Sequence, residues 1–120
     1  MGFMDDFTDC ITGKNLPPDL ANSLPDAKTA LSFASKLIQG ATVVDALVAI
    51  GIGTEVAEAI AEAVAAITVG AIIGAVVGCA VNAAGSSLPN ILLSMDGSDT
   101  SALQGALADA GFNASDSAAA

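Results

Sequence analysis

The chain contains no His, no Trp and no Tyr, and its 120 residues carry only three basic side chains. Each shortage closes a class of function. Without His, neither Ser-His nor Cys-His nucleophile pairs nor His-based zinc sites can be built. No enzyme, catalytic residue, metal or cofactor is therefore expected. Lys14, Lys28 and Lys36 stand alone against thirteen acidic residues, giving a net charge of −10, which repels phosphate backbones and removes nucleic acid as a partner. Cysteine is also scarce. Cys10 and Cys79 are too few to define a disulfide framework, and the expectation is two buried thiols packed as small apolar groups.

Charge of either sign is thin. Charged residues make up 13% of the chain, about half the usual share for a soluble domain. The mean hydropathy of +0.69 borders on that of a membrane protein. Such an aliphatic chain is not a disordered one, and its length bounds it to a single modest core. The opening MGFMDDFTDC places Asp5, Asp6 and Asp9 where a secretory signal would carry Lys or Arg. The expected route out of a cell is a dedicated machine with no cleaved signal.

Helical periodicity dominates what is present. Phe3, Phe7, Cys10 and Ile11 share one face of a short amphipathic helix over residues 3–12, ending at Gly13. Pro17, Pro18 and Pro25 punctuate residues 13–24, which read as a linker. A helical core is expected over 25–111 with Pro25 in its first turn, where Ala27, Leu31, Ala34, Leu37 and Ile38 form the apolar face and Lys28, Ser32, Ser35 and Gln39 the polar one. Thr42 with Asp45 resembles a capping box before VVDALVAI. Gly51 and Gly53 end that helix, and Thr54 then caps the longest element, expected to run to about Ala84. Short helices over Asn90–Met95 and Ser101–Ala110 follow, with DGSDTS between them read as a turn. Strand signals are weak because Ala fills the same windows as Val and Ile. The predicted fold is all-α, a small helical bundle around one long, apolar, glycine-striped central helix. One domain spans residues 1–112, with a frayed tail at 113–120.

The strongest signal lies between Glu62 and Asp96, where no side chain is charged. Residues 63–81, AVAAITVGAIIGAVVGCAV, are nineteen residues without even an amide, long enough to cross a bilayer as a helix. Ala66, Gly70, Gly74 and Gly78 recur every fourth residue, so small side chains form one stripe for close helix packing or oligomerisation. Ile67, Ile72, Ile73, Val76 and Val77 cover the remaining surface as candidate membrane-inserting residues. Each glycine costs a water-exposed helix about 1 kcal/mol relative to Ala, so three at this spacing call for a reason.

GAIIGAVVG, preceded by an Ala-rich stretch and VVDALVAI, resembles the glycine-zipper bacterial membrane-active proteins, small bacteriocins and pore-forming effectors that depolarise competitors. The similarity covers residues 41–85 at the level of motif. It implies a secreted toxin-like effector that permeabilises a target membrane, with a lipid bilayer and its own copies as partners. A secretion-system carrier and an immunity protein are the further partners implied, and the destination is the target-cell membrane. The alternative from another class is a non-enzymatic filament or shell subunit that uses the glycine stripe for self-assembly.

Two acids are candidate pH sensors. Asp45 lies inside one apolar segment and Glu62 borders the other, so membrane entry would desolvate them and favour their protonated forms. Glu55, Glu58 and Glu62 share a helix face, read as solvated. DGSDTS lacks the alternating acids and terminal Glu of a calcium loop.

Overall fold

The computed structural model describes residues 3–111, and the tail expected at 113–120 lies outside them. The fold is all-α. Helix α1 (Phe3–Gly13) buries Phe7 and Ile11, with Phe3 stacked on Phe7 at a ring-centroid distance of 5.0 Å. Asn15 turns the chain at φ 65°, a conformation Asn tolerates better than most residues. The stretch expected as a linker is instead part of the core. Pro18 opens a short helix α2 (Pro18–Asn22), where its missing N–H costs nothing, and Leu16, Leu20, Ala21 and Leu24 are all buried.

Asp26 rather than Pro25 begins α3 (Ala27–Ile38), because its carboxylate accepts from the Thr29 N–H at 2.8 Å. The expected apolar face is buried except for the exposed Ile38, and Ala30, Phe33 and Ser35 are buried with it. Gly40, at φ 105°, reverses the chain as only glycine does without strain. Thr42 then caps α4 (Val43–Ala49) as expected, its hydroxyl accepting from the Asp45 N–H at 3.1 Å. In α5 (Thr54–Ala63), Gly53 occupies the cap position and Thr54 is the first helical residue.

The expected thirty-residue helix is two. Val64 is buried at the end of α5, and the Thr68 hydroxyl accepts from the Ala71 N–H at 3.2 Å, opening a new helix α6 (Val69–Ala84). A self-capping Thr offers the backbone an alternative to helix continuation, and burying Val64 and Ile72 in one core sets the corner. At about 1.5 Å per residue, α6 is about 24 Å long, rather than the roughly 45 Å expected. A single 3-10 turn (Gly85–Ser87) leads into α7 (Leu88–Leu93), two residues earlier than expected. Helix α8 (Gly97–Asp109) starts within DGSDTS, so that segment is a helix start and not a turn.

Helix α6 packs against α3, α1 and α8, while α4 pairs with α5 and α3 reaches α4, α7 and α8. Their inward faces make one continuous core, with Phe7, Phe33, Leu47, Ile72 and Leu107 fully enclosed. The described chain has a radius of gyration of 13.2 Å, the value for a compact domain of about this size.

Candidate functional site on the glycine-lined helix

At about 100° of turn per residue, Gly70, Gly74 and Gly78 of α6 lie opposite the arc that contains Ile72, Val76 and Ala80. Burial follows that geometry. Ile72, Val76 and Val77 are in the core, Gly70 and Gly74 are exposed, and Gly78 and Ile73 are half-buried. A Cβ placed on any of the three glycines would meet nothing within 4 Å. The stripe therefore has room for a Cβ at all three positions, with α8 and Lys14 standing beside it. Ala66, its expected fourth member, is exposed in the corner between α5 and α6, and Ile67 beside it is half-buried.

The stripe floors an open groove of about 350 Å³, which Lys14 enters from the end of α1 and Asp109 from α8. No side chain longer than valine or isoleucine rises from α6 until Asn82. Val69–Leu93 is an uncharged stretch of 25 residues with a mean hydropathy of 1.7 in its most apolar window, helical except where Gly85, at φ 55° and ψ −125°, breaks α6 from the 3-10 turn and α7 that follow. Length and composition allow it to cross a membrane. Only 28% of that window is buried, and Val69 and Leu93 are 45% and 81% exposed. This is an apolar stretch at the surface, with Gly70 and Gly74 outward.

A second constellation escaped sequence reasoning. Asp99, in the first turn of α8, is buried and accepts from the Ser35 hydroxyl at 2.9 Å and from the Gln39 amide at 3.2 Å. The Lys36 ammonium lies 3.5 Å from the same oxygen. Gln39 also donates to the Ser35 hydroxyl at 2.8 Å. These bonds fix α8 against α3. Ser35, expected on the polar face, is fully buried, so it serves this tie and is closed to substrate.

Cys10 and Cys79 are a disulfide and not free thiols, with Cα atoms 5.6 Å apart across the packing of α1 on α6. Closing a loop across 69 positions of sequence stabilises the fold by about 4 kcal/mol in the chain-entropy account. The acids expected to respond to pH are both exposed: Asp45 in the first turn of α4 and Glu62 near the end of α5. Glu55 and Glu58 are likewise solvated. Among the described residues, no group of three or more Cys, Asp or Glu side chains gathers as metal ligands.

Comparison with family models, with curated proteins and with solved structures finds no match in any of the three.

Proposed function

We propose that this protein is a small membrane-inserting effector that delivers its α6–α7 rod into a target bilayer and permeabilises it, its copies pairing through Gly70, Gly74 and Gly78. The observation that carries this reading is the surface position of the uncharged 25-residue stretch that holds α6 and α7, of which 28% is buried in the window that could span. A helix that merely filled a core would be mostly enclosed. Leaving water benefits its exposed apolar surface at about 25 cal/mol per Å². Ile72, Val76 and Val77 would exchange an apolar core for lipid tails of similar polarity, so hydrophobicity itself does not oppose their transfer. Once in lipid, the stripe lets two backbones approach closely, and the groove it floors in the folded chain is already open. On this reading the effector leaves its cell by a dedicated machine, with a carrier that shields the rod and an immunity protein that protects the producer.

A second reading, self-assembly in water as a filament or shell subunit, draws on the same open stripe, because pairing there needs no rearrangement of the fold. Release of a trapped dye from phospholipid vesicles, measured with Cys10 and Cys79 oxidised and again with them reduced, beside light scattering of the protein alone, separates the two. Dye release with collapse of a bacterial membrane potential is expected. Ordered assembly in water without release, across anionic and zwitterionic lipids between pH 4 and 8, would overturn the insertion reading.

A further inference from the structure

The Cys10–Cys79 disulfide joins two helices of opposite character. Helix α1 carries Asp5, Asp6 and Asp9, whereas α6 carries no charge. Cys79 lies ten residues beyond Val69, the first residue of α6, about 15 Å along a helix of about 24 Å. With Val69 at one face of the bilayer, that position falls near the middle of a hydrocarbon layer about 30 Å thick.

We infer that this disulfide is a redox lock on membrane insertion: while it is closed α6 cannot span a bilayer, and reduction by a dithiol releases it. The inference rests on the insertion reading above. With the bond intact, Cys10 must accompany Cys79 to mid-membrane, its Cα 5.6 Å away. Asp9 follows at one residue's distance, about 3.8 Å between Cα atoms, and Asp6 lies one helical turn behind it. Carboxylates at that depth are costly. The chain also leaves helical geometry at Asn15, only five residues beyond Cys10, so irregular backbone would enter lipid with its polar groups unsatisfied. Opening the bond removes both obstacles, because α1 and its acids can then stay in water while α6 moves.

The chemistry balances with a dithiol as the reductant. Its thiolate attacks the Cys10 sulfur, the half-buried and more accessible of the two, and Cys79 leaves as a thiolate that takes up a proton. The second thiol of the reductant then displaces Cys10, closing the reductant's own disulfide. Two electrons and two protons pass to the protein, and each cysteine ends as a thiol.

The test is dye release from vesicles of three parts phosphatidylethanolamine to one part phosphatidylglycerol. The oxidised protein, the protein treated with dithiothreitol, Cys10→Ser and the double variant C10A/C79A are compared, with circular dichroism recording the fold of each. Reduction or either substitution is expected to raise the initial rate on the order of a hundredfold, the factor that one carboxylate at mid-membrane represents. Leu47→Ala weakens the core with the disulfide intact, so it controls for general loss of stability and is expected to stay slow. If Leu47→Ala releases as fast as Cys10→Ser, or if oxidised and reduced protein release equally, the lock is overturned while the insertion reading stands. If no form releases dye, both fall.

Discussion

Helices α3 and α6 form the centre of the molecule and contradict each other in a useful way. Seven of the twelve residues of α3 are buried, against five of sixteen in α6, although α3 carries Lys28, Ser32, Ser35 and Lys36 and α6 carries no charge at all. The less apolar helix is the more enclosed one. Burial follows how apolar side chains are arranged around the axis and whether they have volume to fill space, and α3 has Phe33, Leu31 and Leu37 where α6 has Gly70, Gly74 and Gly78. Helix α3 is built to be covered within this chain, while α6 keeps an uncovered face that composition alone would have placed inside.

Five experiments press on that contrast. The largest effect is expected from Phe33→Ala in α3, a fully enclosed ring whose removal costs about 3–5 kcal/mol and is read as a fall in the urea midpoint. An effect under about 1 kcal/mol there would deny α3 its central role, since such losses are ordinary for surface positions. Next comes Asp99→Ala, which strips Ser35 and Gln39 of a shared acceptor. It is expected to destabilise by about 1–3 kcal/mol, with faster amide exchange at the start of α8. The partly exposed Lys36 contributes little to that loss because solvent screens it.

On α6 the sign reverses. Gly74→Ala meets open space and is expected to stabilise the fold by about 1 kcal/mol through helix propensity. Gly74→Leu is expected to leave the fold intact and to reduce dye release or oligomer formation much more than Ile73→Leu does. Equal effects of the two leucine variants would show that the stripe is incidental. The smallest effect is that of salt. At −10 the chain is repelled by anionic lipid, so its binding to anionic vesicles is expected to rise as added salt screens that repulsion. Binding independent of salt would leave the net charge no part in insertion.

Much of this architecture is legible in the chain because local rules write it there. The face of α1, the Thr42 cap and the stop at Gly40 depend on residues within one turn of each other. The corner at Thr68 was hidden because a lone Thr in an apolar run reads as helix, and only the joint burial of Val64 and Ile72 selects its capping role. Leu16, Leu20 and Leu24 did signal core inside the Pro-rich stretch, at a helical spacing that the prolines masked. The Ser35–Asp99 tie and the Cys10–Cys79 bridge join positions 64 and 69 apart, and no local pattern encodes such pairings. The stripe itself was plain in the sequence, whereas its facing outward was settled by packing.

The Thr68 corner also makes α6 independent of α5 in its direction. Because α6 begins with its own cap, no run of helical hydrogen bonds crosses from α5, and the direction of α6 is set by a few backbone dihedrals between Val64 and Thr68. A continuous helix would have had to unwind before it could swing. Here α6 is held by its packing on α3, α1 and α8 and by the Cys10–Cys79 bridge, while Glu55, Glu58 and Glu62 belong to a separate helix.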